Sequence, residues 1–345
     1  VSLAAYDWFF DLVGLREWCD AEKTQGAMSM AELMAKANGA AAETAWWDVP
    51  FPSLDTLNKS CGAVSRTRDF TVSIENAFLG VKDSLKAVLD PLTQPLSWML
   101  DGALSLFVST PWWLLIGVLL MITYYASRNV LVTIFVAFSF FLLAFIDHYT
   151  YAVQTLSIIF VCTIISVLLG VPIGIAMSKS NTFQRFTIPI LDMLQTLPSF
   201  VYLIPLIFLF SVTESKLYGI AIIMYAIVPV VRLTDLGIRL VDKDVIEAAN
   251  AFGMSSRQKL FGVEIPLALP NIMAGINQTI MMALAMVVIA SLVSAPGLGT
   301  LVLRGIRNLE LGVGLVSGFA IVLLAVVLDR VSKASLARIN TAHSH

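Results

Sequence analysis

At 345 residues, 58% hydrophobic and 13% charged, the chain lies outside the usual soluble range, in which about 25% of residues are charged. The net charge of −2 hides a split: Val1–Thr110 holds 8 basic and 14 acidic residues, leaving 14 basic and 10 acidic for the rest. An acidic N-terminal part and a basic, apolar remainder argue against a nucleic-acid partner and for an integral membrane protein with charge asymmetry across the bilayer.

Residues 1–71 read as an N-terminal tail, with short helical patterns around Trp8–Trp18 and Met28–Ala37 and a turn-rich stretch through Trp46, Pro50, Pro52 and Cys61. Nothing in the tail indicates a role. The chain starts at Val1 without Met, as a trimmed or processed sequence would, and no signal peptide is visible: Asp7 and Asp11 interrupt the first apolar run and no basic segment precedes it. Cys19 and Cys61 could pair if the tail is outside the cytoplasm, although two thiols define no framework; Cys162, in an apolar span, reads as a small buried hydrophobe.

Residues 72–110 form an amphipathic region. Ala77, Val81, Leu85, Val88 and Leu89 recur at helical spacing against Lys82, Asp83 and Lys86. Asp90, Pro91, Pro95 and Asp101 are expected to break the run that follows, so the segment lies along the membrane surface, with crossing as the alternative.

Seven apolar segments fill residues 111–330: Trp112–Ala126, Val130–Ile146, Tyr151–Met177, Ile188–Val212, Leu217–Ile238, Leu267–Ser294 and Leu311–Leu328. Trp112, Trp113, Tyr124, Tyr125, Tyr149 and Tyr151 cluster at their ends, as interfacial aromatics do. Arg128, Lys179, Arg185, Arg239, Lys243, Arg257, Lys259, Arg330, Lys333 and Arg338 fall on one side of the membrane, which is therefore cytoplasmic; only Arg304 and Arg307 dissent. The N-terminus is thus expected outside, and the tail 331–345 in the cytoplasm.

Between the fifth and sixth segments lies a polar stretch, residues 240–266. Asp244 can cap a short helix, with Glu247 reaching back, and Gly253 supplies a left-handed stop after Phe252. Ser255 and Gln258 form a second capping box, and Pro266 is expected to forbid helix at the residue before it while opening the next one. The stretch reads helix, elbow, helix. Each piece is about two turns long, short of the roughly 12 residues at which an isolated helix becomes marginally stable, so something must hold it. It is either a mere connector or a docking surface.

Glu247-Ala248-Ala249, three residues, Gly253, nine residues, Val263, one residue, Ile265-Pro266 resembles the EAA loop of ABC importer permeases, whose usual ending is Ile-x-Leu-Pro. LDMLQTLPSFVYLIP from Leu191, VVRLTDLGIR from Val230, PNIMAGINQTIMMALAMVVIASLV from Pro270 and PGLGTLVLRGI from Pro296 look like the permease subunit of glycine betaine and proline betaine importers. The resemblance implies an all-helical type I ABC importer transmembrane domain of about seven spans, its last five forming the core. It makes Glu247, Ala248, Ala249, Phe252, Gly253 and Pro266 the contact to a separate ATPase subunit, which would carry ATP and magnesium. It also implies a second copy of the permease, an extracytoplasmic solute-binding protein, a bacterial inner-membrane location, and a quaternary or methylated ammonium cargo.

The chain's own chemistry is sparse. The nearest approach to a phosphate-binding loop, Gly174–Ser180, lacks the second glycine, so ATP hydrolysis by this chain is not expected. His148, His343 and His345 are too scattered for a metal site. Polar residues in apolar spans mark a pathway or interhelical packing: Asn271, Asn277 and Gln278 with Met281 and Met282, and Gln195, Thr196 and Ser199 beside Pro198. Arg232 and Asp235 look like a local ion pair, and Asp192 is expected to pair or cap locally. An ion-coupled secondary transporter and a membrane scaffold are the alternatives; the former would call for a midplane ionisable cluster or paired broken helices.

Overall fold

Long apolar runs punctuated by capping residues and prolines set the helices. The computed structural model describes residues 6–15, 19 and 51–343, and every regular element among them is helical. In chain order they are α1 (Asp7–Leu12), α2 (Leu54–Ser60), α3 (Thr67–Ser109), α4 (Trp112–Ser127), α5 (Val130–Phe145), α6 (Tyr149–Lys179), α7 (Asn181–Thr196), α8 (Leu203–Leu209), α9 (Ser215–Arg239), α10 (Lys243–Ala251), α11 (Ser256–Lys259), α12 (Ile265–Ala290), α13 (Leu298–Arg307) and α14 (Leu311–His343). The chain divides into two compact units, Val1–Leu85 and Lys86–His345. The patterns expected at Met28–Ala37, Trp46 and Pro50 lie outside the described residues.

In the first unit, Ser53 caps α2 by accepting from the Thr56 amide at 3.3 Å. Cys19 and Cys61 form a disulfide, and both are buried with Phe10 among Tyr6, Leu57 and Val64. The pairing that the sequence left open is therefore made.

In the second unit, α9 packs between α6 and α12. Small residues permit the close approach. A Cβ on Gly170 would lie 2.4 Å from Val230 Cγ1, and one on Gly174 only 2.6 Å from the Val231 carbonyl oxygen. On the other flank, a Cβ on Gly275 of α12 would stand 3.0 Å from Val230 Cα. Close backbone contact of this kind substitutes in lipid for the hydrophobic drive that holds helices together in water.

Four helices are long and apolar enough to cross a bilayer: α6, α9, the continuous run Ser256–Val293, and α14 over Leu311–Ser335. Counting two bent helix pairs as one span each gives up to six, and α5, at 16 residues, is shorter. The seven expected segments are therefore not seven straight spans. Ile188–Val212 is two arms meeting at 104°. Pro198 disfavours helical backbone at the residue before it, and Leu197 is extended, with φ −65° and ψ 134°.

Pro91 and Pro95 behave differently. The break expected at Asp90–Asp101 does not occur, and α3 runs unbroken through both prolines. Tertiary contacts offset the lost backbone hydrogen bonds. Asp90 accepts from Lys216 Nζ at 2.8 Å, Asp101 accepts from Ser215 Oγ, and Leu96 and Leu100 close over Gly219. The C-terminal half of α3 is thus docked on the first turns of α9.

Lys216, only 4% exposed, also lies 2.7 Å from Glu214 and 5.2 Å from the Phe210 ring centroid. With two carboxylates on one buried ammonium, Asp90→Asn alone should be tolerated. Asp90→Asn with Glu214→Gln leaves the ammonium without a counter-charge and should cost about 3 kcal/mol. Thermal unfolding of the two variants in detergent checks this; equal midpoints would mean that buried Lys216 needs no carboxylate partner.

Candidate functional site

The stretch between α9 and α12 folds as an elbow, each joint of which has a local cause. Asp242, not Asp244, is the cap of α10: its carboxylate accepts from the Asp244 amide at 2.9 Å, and the helix begins two residues earlier than the spacing suggested. At the far end Gly253 has φ 73°, its amide donates to Asn250 O, and the Met254 amide donates to Ala249 O. These two bonds satisfy carbonyls that the ending helix would leave bare. Ser255 and Gln258 then form a reciprocal capping box, and Lys259 Nζ donates to Asn250 Oδ1 at 3.0 Å, tying α11 back to α10.

Past α11 the expected stop before Pro266 is absent. Leu260–Glu264 form a π-turn that runs directly into α12, with Pro266 in its first turn. The Ile265 amide reaches Leu260 O, five residues back, and this wider turn accommodates a proline that lacks an amide hydrogen. Ser256–Val293 is one helical run.

The elbow presents a defined face. Glu247, Ala248 and Gly253 are exposed, and Phe252 stands 86% exposed, while Ala249 is buried beneath and Pro266 is half-buried. Behind it lies a cavity of about 320 Å3 lined by Lys179, Arg239, Lys243, Ile246, Glu247 and Glu264, with three further residues. Buried Glu264 pairs with Lys179 at the end of α6.

A polar seam joins α7 to the C-terminal end of α9. Buried Asp235 accepts from Arg239 Nε at 2.8 Å and from Gln184 Nε2 at 2.7 Å. Arg239 also donates to Asn181 Oδ1 at 2.8 Å and to Met177 O at 2.7 Å. Arg232 pairs with Asp192 of α7. The local Arg232–Asp235 pair is therefore corrected: each residue reaches another partner, and Asp192 pairs across helices instead of locally. Sequence spacing exposed neither this seam nor Lys179–Glu264, whose partners are 85 residues apart. The only signal was a lone acid, Glu264, between aliphatic residues.

The polar span residues differ in their surroundings. Asn277 Nδ2 donates to Asp329 Oδ1 at 3.5 Å and its Oδ1 accepts from Ser332, so it ties α12 to α14. Asn271 sits against Gly237, where a Cβ would approach its own to 2.8 Å. Gln278 is exposed, Met281 and Met282 are half-buried, and Met282 packs on the main core. Gln195, Thr196 and Ser199 flank the Leu197–Pro198 break; the Thr196 hydroxyl donates to Met193 O at 3.4 Å, and Ser199 opens a 3-10 turn, Ser199–Tyr202, that contacts α12. Among the described residues no group of three His, Cys, Asp or Glu side chains is placed to hold a metal.

An all-helical core with a capped polar elbow between two of its spans defines a class, the transmembrane subunit of a type I ABC importer. A chain of the methionine ABC transporter MetNI, solved in inward-facing conformations, shares this fold with a TM-score of 0.51 at 18% identity, covering 56% of this chain and 95% of that one. Residues 166–341 match the family model of the binding-protein-dependent transport system inner membrane component, and the chain belongs to that family. The glycine betaine permease OpuAB of Bacillus subtilis is 38% identical over 265 residues, which are 76% of this chain and 89% of the relative. The glycine betaine/proline betaine permease ProW of Escherichia coli is 39% identical over 250 residues, 72% and 70% of the two chains. The trimethylamine N-oxide permease TmoV of Ruegeria pomeroyi is 34% identical over 276 residues, 77% and 42% of the two. The protein is a multi-pass inner-membrane permease of an ABC importer.

Proposed function

We propose that this permease imports a small quaternary or methylated ammonium solute, and that its α10–α11 elbow seats in a groove of a separate ATPase subunit. The exposed Phe252 beside the left-handed Gly253 carries the docking half of the reading: together with exposed Val245 on the same short helix it gives a charged elbow an apolar surface for a partner to cover. Glu247, Ala248, Ala249 and Pro266 complete the contact and its support. ATP and magnesium belong to the ATPase, and this chain contributes no catalytic group. One elbow serves one ATPase, so a pair of ATPases calls for two copies of this permease. A solute-binding protein delivers cargo on the outer face.

Support for the cargo class comes from relatives named for glycine betaine, carnitine and trimethylamine N-oxide, which share a methylated nitrogen. The orientation places the elbow and the C-terminus in the cytoplasm and the N-terminus outside. The Cys19–Cys61 disulfide suits an oxidising exterior, and dissenting Arg304 is partly offset by Glu310, 3.2 Å away.

Among the pathway candidates, exposed Gln278, half-buried Met281 and Met282 and the Gln195–Ser199 break remain; Asn271 and Asn277 contact neighbouring helices. Gln278→Leu is therefore expected to lower uptake several-fold with the folded dimer intact. Asn277→Leu instead loosens α14 by about 0.6 kcal/mol per lost interhelical bond and leaves uptake per folded molecule unchanged. Uptake of radiolabelled glycine betaine into vesicles, normalised to folded protein, checks both. A panel of choline, carnitine and trimethylamine N-oxide, read as stimulation of ATP hydrolysis with the cognate binding protein, tests the cargo class; stimulation by none of them, nor by glycine betaine, would refute it.

A further inference from the structure

We propose that Glu264 and Lys179 are positioning residues that carry movement of the elbow to α6, with the π-turn Leu260–Glu264 as the joint. The proposal rests on the docking reading above. Two helices receive elbow motion through the backbone: α12 continues from α11 without a break, and α9 connects through Leu240–Asp242. The backbone offers α6 no such short path, because α7, α8 and α9 intervene. The side chains supply one. Glu264, 5% exposed, pairs from the π-turn with Lys179 in the last turn of α6. A carboxylate buried to this degree is strongly disfavoured without a counter-charge, so displacement of the π-turn draws the ammonium with it.

The surroundings let the joint occupy more than one arrangement. The pair borders the cavity of about 320 Å3, so it is not packed on every side. Glu247 of α10 lines the same cavity and offers Lys179 a second carboxylate, while Arg239 and Lys243 offer Glu264 other cations. Relaxing a π-turn to ordinary α-helical bonding changes the phase of the preceding helix by about 100°, one residue's rotation. That rotation would swing α11 against α12 and take Glu264 off Lys179. A pair that can exchange partners at a turn that can change register is an element with discrete states, which coupling between two sites requires.

The test uses the assembled transporter with its ATPase and binding protein. The readout is the ratio of solute-stimulated to basal ATP hydrolysis, which a packing defect alone would not move. Glu264→Gln and Lys179→Met are each expected to lower this ratio about tenfold while the ATPase still co-purifies in equal amount, and the double variant should be no worse than the poorer single one. Lys179→Arg, which keeps the charge, should retain the ratio. A wild-type ratio in Glu264→Gln, or additive losses in the double variant, would overturn the joint but leave docking standing. Failure of the wild-type permease to retain any ATPase would overturn docking itself, and the joint with it.

Discussion

Gly253→Pro should abolish solute-stimulated ATP hydrolysis in the assembled transporter while the permease still inserts and folds. The residue has φ 73°, whereas proline is held near −65°, so the substitution cannot reproduce the turn at the end of α10. It also removes the Gly253 amide that donates to Asn250 O at 2.9 Å. The damage should stay local, because nothing lies within 4 Å of where a Gly253 side chain would begin, and the spans owe their packing to α6, α9 and α12. Gly253→Ala grades the effect: a left-handed alanine costs about 1 kcal/mol, so the elbow should persist and coupling should fall only in part. Glu247→Arg reverses a charge of the elbow without touching the backbone, at an exposed side chain that also lines the cavity beside Lys179. It should lose coupling as fully as Gly253→Pro. Stimulated hydrolysis at wild-type level in both would mean the elbow is only a connector.

Gly174→Leu should prevent accumulation of folded permease altogether. A Cβ at this position would sit 2.6 Å from both Thr234 Cβ and the Val231 carbonyl oxygen, and the second is backbone that no rotamer change can move. The α6 and α9 axes would have to separate, which breaks contacts along the whole interface and costs more than about 3 kcal/mol. Gly170→Ala is the milder counterpart, because its closest obstruction is a terminal methyl of Val230. Detergent-soluble, monodisperse yield separates them: near zero for Gly174→Leu, reduced but measurable for Gly170→Ala. Equal yields would mean that the α6–α9 crossing is not tight.

Features written within a few residues were legible. The left-handed Gly253 and the Ser255–Gln258 box follow from chemistry at short separation, and both appear where the spacing put them. The cap itself slipped from Asp244 to Asp242 because acids two residues apart compete equally well on paper. Prolines were ambiguous for a different reason. Pro198 breaks its segment, Pro91 and Pro95 do not break α3, and Pro266 follows a π-turn in the first turn of α12. What carries α3 through Pro91 and Pro95 is its docking on α9, which no local window contains. The same limit hid the ion pairs. Arg232 had Asp235 three residues away on its own helix, and its true partner, Asp192, is 40 residues away. Asn277 read equally as pathway or packing until Asp329 and Ser332 appeared beside it.

The central claim is that an ATPase grips the elbow from the cytoplasm, and Ala251→Cys, at an exposed position beside Phe252, tests it most directly. The background thiols are quiet, because Cys19 and Cys61 are bonded to each other and Cys162 is fully buried. A membrane-impermeant maleimide should label the introduced thiol in inside-out vesicles holding the permease alone, fail to label it in right-side-out vesicles, and be blocked when the cognate ATPase is bound. Equal labelling with and without the ATPase, or labelling from the outer face, would contradict the account.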